Sequence, residues 1–297
     1  MKRLALFFAT LALLSLACSL PFTAQAPDRP ADQNPPPTPS SGGLPPAPTL
    51  TAAPPPPTAT VLPASLPDEP GGLHFVIPDG LAAGVSSEII ARAEGDQVAP
   101  WEIAPQHSVL TFTGYTPQNS FQKPQIYVYP VQDYLALNPE LANTIQEIQT
   151  AVANPGALTP EGMPGIPFFN ASQMFAAHMQ TLNFQNGSGV RLVTQYSQAL
   201  VPINNNELFY QFQGLSSDGK YYIIAILPIT APMLAADGKP ESPVPADGLP
   251  FNYNDPNFDF STYVNTLSTK INTTAPENFG PSLDKLDALI QSIRVNP

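Results

Sequence analysis

Between residues 71 and 297 the spacing of apolar side chains changes period several times, and each change marks an element. Leu73-His74-Phe75-Val76-Ile77 predicts a first strand, closed by the turn residues Pro78-Asp79-Gly80. Ser87 to Ala93 and Val109 to Tyr115 predict two more, and Gln125-Ile126-Tyr127-Val128-Tyr129 a fourth, ended by Pro130. The period then becomes helical: Leu141, Ile145, Ile148 and Val152 follow Asn138-Pro139-Glu140, which supplies a cap, a proline at the first helical position and an acid in the first turn. Asn154-Pro155-Gly156 stops that helix, and Ala171 to Ala177 predicts a short second one. Two hairpins come next. Thr181 to Phe184 turns through Asn186-Gly187-Ser188-Gly189 into Val190 to Tyr196, and Leu208 to Leu215 turns through Ser217-Asp218-Gly219 into Tyr221 to Ile229. Phe260, Tyr263, Val264, Leu267 and Ile271 then form one helical stripe behind an Asp259 cap, and Leu283, Leu286, Leu289, Ile290 and Ile293 form another. Strands, a helix, two hairpins and closing helices, without βαβ alternation, predict an α+β domain: a largely antiparallel sheet with helices packed on it.

The N-terminal region has a different pattern. Met1-Lys2-Arg3 is positive, Leu4 to Ala17 is an almost unbroken apolar run, and Cys18, the one cysteine of the chain, follows small Ala17. A charged start, a short apolar core and a small residue at the cut are the features of an export signal. Leu14-Ser15-Leu16-Ala17-Cys18 resembles a bacterial lipoprotein signal with its lipobox, Ser15 and Leu16 standing in the reverse of the usual order. That resemblance implies cleavage of residues 1–17, lipidation of Cys18 and an extracytoplasmic life anchored to a bacterial membrane. The competing reading is an ordinary secretory signal with an incidental cysteine. From 18 to 70 the chain is rich in Pro, Thr, Ala and Ser, with runs such as Pro54-Pro55-Pro56-Pro57. Such a composition buries too little apolar surface to offset the entropy of ordering, so it reads as a disordered stalk. Extended as polyproline II it would reach roughly 160 Å.

Residues 71–297 are long enough for one domain with a proper core. Setting aside Lys2, Arg3, Arg29, Asp28, Asp32, Asp68 and Glu69 leaves 8 cations against 19 acids, a net charge of −11. Nucleic acid and anionic lipid are read by clustered Lys and Arg. No such cluster occurs, so nucleic acid is excluded as a partner.

Sequence motifs for catalysis are scarce. There is no Gly-x-Ser-x-Gly elbow and no phosphate-cradling loop, and His74, His107 and His178 are far apart, predicted on a strand, a loop and a helix end. Asp284 and Asp287 read as acids at a helix start, complementing its dipole. A hydrolase would need an acid/base pair such as Glu207 with Asp218. The one stretch with ligand chemistry is Asp255-x-Asn257-x-Asp259, whose oxygens have the spacing that opens a calcium loop. Phe260 then stands in place of the turn glycine and Thr266 in place of the closing glutamate, which fits a turn-rich loop ending in a helix cap. The cofactor expectation is therefore none, with calcium as the alternative. Two long connections, 156–169 and 231–257, would form a cleft or rim if both lay over one sheet face, with Tyr210, Tyr221 and Tyr222 lining it; alternating aromatics on strands more often belong to the core.

Three pieces carry a likeness to a known fold: Ile77-Pro78-Asp79-Gly80-Leu81, the Asp218-Gly219-Lys220 hairpin, and the closing helix with its Ile290-Gln291-Ser292-Ile293-Arg294-Val295 ending. Together they resemble the PsbP/Mog1-like fold. The resemblance implies an α/β/α sandwich and a family composed mostly of accessory and binding proteins; it identifies no functional residue. The functional expectation is a non-catalytic lipoprotein, held to the membrane through Cys18, that binds a protein or cell-envelope partner. A calcium or small-ligand module and an extracytoplasmic hydrolase are the alternatives, and the oligomeric state is left open.

Overall fold

The computed structural model describes residues 64–65, 71–252 and 254–296; the signal, Cys18 and most of the Pro-rich segment lie outside the described residues. Short β1 (Ala64–Ser65), β2 (Leu73–Phe75) and β12 (Arg294–Val295) form one small sheet in the order β1-β2-β12. Regular structure thus begins seven residues before the boundary expected at 71, because Ala64 and Ser65 pair with Phe75 and His74. The main sheet joins β3 (Gly84–Ile90), β4 (His107–Thr113), β5 (Gln125–Pro130), β7 (Ala177–Phe184), β8 (Gly187–Thr194), β10 (Phe209–Ser216) and β11 (Tyr221–Pro228). Its seven strands run antiparallel in the order β3-β4-β5-β11-β10-β8-β7. β6 (Ser172–Gln173) and β9 (Tyr196–Ser197) make a separate two-stranded ribbon.

Every residue of β10 is buried, because helices cover both sheet faces. Side chains alternate across a strand. Tyr210 and Phe212 of β10 and Ile223, Ala225 and Leu227 of β11 therefore face α3 (Phe260–Thr273) and α4 (Leu283–Gln291). Phe209 of β10 and Tyr222, Ile224 and Ile226 of β11 face α1 (Val131–Leu137) and α2 (Leu141–Ala153). The domain is α+β, in three layers. Leu283, Leu286, Leu289 and Ile290 are all fully buried on α4, each worth about 1.5–3 kcal/mol relative to exposure.

Local chemistry sets the starts of α3 and α4 as the pattern predicts. Asp259 accepts a hydrogen bond from Thr262 N at 3.1 Å, and Ser282 caps α4 through Lys285 N. The start of α2 differs from the prediction: the helix begins at Leu141 with Glu140 at its N-cap and no side-chain cap, while Asn138 closes α1 and its Oδ1 accepts from Glu140 N, so Asn138-Pro139-Glu140 is the turn between two helices. α1 was not predicted; only Val131 and Tyr134 are buried on it, too few positions to reveal a period. Residues 171–177 are not helical: Ser172 and Gln173 pair with Ser197 and Tyr196, and Ala177 pairs with Val193, so strand partners override a helix-forming composition. β3 and β4 lie a few residues before their predicted places, since Ala93 instead bridges Ala104 and the mostly exposed β3 has no apolar rhythm to mark its ends.

The first hairpin differs in an instructive way. Its turn is Gln185-Asn186, and Gly187 and Gly189 belong to β8. A Cβ at Gly187 would collide with the Phe184 ring, and one at Gly189 with the Gln213 carbonyl, so these glycines serve close packing. Asn186 is a turn residue with a second task. Its amide nitrogen donates to Val295 O at 2.7 Å and its oxygen accepts from Val295 N at 2.9 Å, which docks β12.

Arg191 of β8 ties the sheet to α4. Its Nε and Nη2 donate to the two oxygens of Asp287, each at 3.1 Å, and Tyr210 donates to Asp287 Oδ1 at 2.8 Å. The remaining guanidinium donors reach Gln180 Oε1 and the His178 carbonyl. Arg191 is 4% exposed and Asp287 9%, so Asp287 is a buried partner and not a dipole-complementing acid at a helix surface. Asp284, in the first turn, keeps that role.

Candidate functional site

The informative surface feature is a set of large apolar side chains left in water. Trp101 is 40% exposed and Phe121 70%. Each comes from a loop on a different side of β4. Pro100-Trp101-Glu102 forms a short 3-10 turn between β3 and β4. Phe121 sits between β4 and β5, its amide donating to Asn206 O at 2.8 Å. Both line a cavity of about 520 Å³ that also includes Phe168, Phe169, Tyr196 and Glu207.

The floor of this groove is rigid because it is an extension of the core. Phe169 meets Tyr196 edge-on at 4.9 Å between ring centres and Phe209 at 6.0 Å; Phe168 lies 4.8 Å from Tyr127 and 5.4 Å from Phe169. The 156–169 connection carrying these rings is pinned by buried amides. Gln211 and Gln213 of β10 both donate to Pro164 O, at 3.0 and 2.7 Å, and Tyr196 OH accepts from Ile166 N at 3.2 Å. Burial pushes the Tyr196 phenol up to about 12, so it stays protonated at physiological pH.

Glu207 is the one charged residue in the lining. Fully buried Gln195 holds it from behind, donating to Glu207 Oε2 at 3.0 Å while its own Oε1 accepts from Asn204 N. Partial burial raises the Glu207 carboxyl above the ordinary carboxylate range, and a hydrogen bond from Asn204 opposes that. Beside it, Gln198 is oriented by donating to Asn170 O at 2.6 Å. The site thus offers exposed ring faces, amides that both donate and accept, and one carboxylate.

The residues singled out from the sequence do not converge here, apart from Glu207 and Phe168-Phe169. Asp218 is in the β10–β11 turn, where it accepts from Ser216 Oγ at 2.6 Å and Lys220 N at 3.1 Å. Glu207 precedes the other end of β10, whose eight residues alone extend about 23 Å, so the two carboxylates cannot act on one bond. Asp255, Asn257 and Asp259 lie in the connection before α3. Asp255 Oδ1 accepts from Asn257 N at 2.9 Å, while Asp259 uses one oxygen on Thr262 N and the other on Thr262 Oγ1. Among the described residues no three His, Cys, Asp or Glu are grouped to hold a metal ion. His107 stacks on Tyr129 at 4.3 Å, and burial lowers its pKa. His178 is on β7, not a helix end, with Nε2 at 2.7 Å from Ile271 O.

The two long connections cover opposite faces. Met163, Ile166 and Phe168 of 156–169 pack with the α2 layer, whereas Met233, Leu234, Leu249 and Phe251 of 231–257 pack with the α3 layer. No joint cleft forms between them. Tyr210 and Tyr222 are fully buried core residues, not lining. Trp101, Phe121 and Tyr196 were missed as site residues. The available signal was an isolated aromatic in a polar or Pro-flanked loop, Pro100-Trp101-Glu102 and Ser120-Phe121-Gln122.

Among the described residues no helix is long and apolar enough to cross a membrane. The chain matches no protein-family model, no curated protein and no solved structure.

Proposed function

We propose that this protein is a lipid-anchored extracytoplasmic binding domain that engages a protein or cell-envelope partner through the aromatic groove, without catalysing a reaction. The carrying observation is the exposure of Trp101 and Phe121 above a rigid ring floor, a costly arrangement unless a partner covers it. A single carboxylate in the groove supports binding over hydrolysis, since a glycosidase uses two about 5–9.5 Å apart. The likeness of three short segments to the PsbP/Mog1-like fold adds the accessory and binding roles which that resemblance implies. The lipobox at Cys18 supplies the anchor, and the Pro-rich segment gives the domain reach to partners beyond the headgroups.

The test has two arms. Cys18→Ser should move the protein from the membrane fraction to the soluble extracytoplasmic fraction and remove the mass of the lipid. Full-length Cys18→Ser protein, which has no lipid to insert, should co-sediment with purified cell envelopes, and adding Trp101→Ala and Phe121→Ala to it should remove that binding with its melting temperature unchanged. Retained binding by the double variant would refute the groove as the contact surface.

A further inference from the structure

We infer that the groove binds a neutral, extended saccharide, with sugar C–H faces on Trp101 and Phe121 and hydroxyls on Gln122, Gln198 and Glu207. This rests on the groove being the binding surface and adds the ligand class. Three features of the lining select it. The first is size: an open cavity of about 520 Å³, in the size range of ligand clefts, has room for a few sugar units.

The second is the pairing of surfaces. A pyranose ring has one or two faces of axial C–H groups and a rim of hydroxyls. Exposed Trp101 and Phe121 provide the flat apolar partners. Gln122 and Gln198 amides each donate and accept, as hydroxyls do, and Gln198 is held in place by Asn170 O. Glu207, already held by Gln195 and Asn204, can only accept when ionised, so any further bond it makes is with a donor of the ligand. A sugar hydroxyl supplies one; a polyproline segment, having no amide N–H, does not. The third feature is charge. Among the described residues the lining contains no Lys or Arg and one acid, so an anionic polymer would be repelled and would find no cation there to bind.

Trp101 is the only tryptophan of the chain, so its emission reports on the groove alone. The experiment titrates the full chain, purified in detergent micelles, with cellohexaose and with the hexamer of N-acetylglucosamine. An oligogalacturonate and a Pro-rich decapeptide are run as the other two probes. A saturable change in Trp101 emission with a neutral hexamer, weakened about tenfold by Phe121→Ala and by Gln198→Ala, is the expected result. Phe121 is a surface residue, so its removal leaves the fold in place, and unliganded Trp101 emission checks this. No change with either neutral hexamer overturns the inference. If the decapeptide alone shifts the emission while envelope binding still depends on Trp101 and Phe121, the groove reading survives and the ligand class fails. If envelope binding ignores both rings, the two readings fail together.

Discussion

The two helical faces of the sheet are built by different rules. On the α3/α4 face, Leu267, Ile271, Leu283, Leu286, Leu289 and Ile290 interlock with β10 and β11, and the hollow beneath the 231–257 connection measures about 40 Å³. The buried ion pair Arg191–Asp287 has its donors and acceptors matched to neighbours. On the α1/α2 face, rings and amides replace much of the aliphatic packing. α2 borders hollows of about 610 and 660 Å³, and the 520 Å³ groove opens where the 156–169 connection crosses the sheet. The difference separates tasks. Both faces bury a core, and the α1/α2 face adds open hollows where rings and amides stay accessible.

Breaking the Arg191–Asp287 pair should give the largest effect. Asp287→Ala strands a guanidinium in the core and should cost about 3–5 kcal/mol, read as a lower denaturation midpoint; Arg191→Met with Asp287→Leu should recover much of it. Leu289→Ala, on the same face, should cost about 2–5 kcal/mol through the cavity it leaves. Removing the α3 cap with Asp259→Ala should cost about 1 kcal/mol, equally with calcium and with chelator. A calcium-induced rise in melting temperature that the substitution abolishes would instead revive the calcium loop. Trp101→Ala and Phe121→Ala should change stability by no more than about 0.5 kcal/mol while removing binding, which is the sharpest contrast with the opposite face.

The smallest effect is one of pH. Because Glu207 has a raised carboxyl pKa in the fold, the folded state holds its proton to higher pH than the unfolded chain does. Its contribution to stability is therefore greatest in acid and falls as pH rises from the ordinary carboxylate range through the raised value. Glu207→Gln should flatten this dependence in thermal melts between pH 4 and neutrality, stabilising the domain slightly on the neutral side. An unchanged pH profile would show that Glu207 titrates as a solvated surface acid.

Local rules made the stable face readable and left the groove hidden. The Asp259 cap, the α4 stripe and the Ser217-Asp218-Gly219 turn are decided by neighbours within one or two turns of chain, and each lies where its pattern places it. Arg191 and Asp287 are 96 residues apart, so no window could pair them. Gly187 and Gly189 look like turn residues until the Phe184 and Phe212 rings that need the space are in view. The groove draws on four separate connections, and its rings are ordinary within each. Only the three-dimensional fold makes Trp101 and Glu207 neighbours of one cavity.

The most direct test of this division of labour is amide hydrogen exchange on the full chain with and without purified cell envelopes. The account predicts slowed exchange at residues 99–104, 118–124, 168–171 and 196–199, with α3, α4 and 231–257 unchanged. Protection confined to α3 and the 231–257 connection, with the groove segments exchanging as in the free protein, would contradict it.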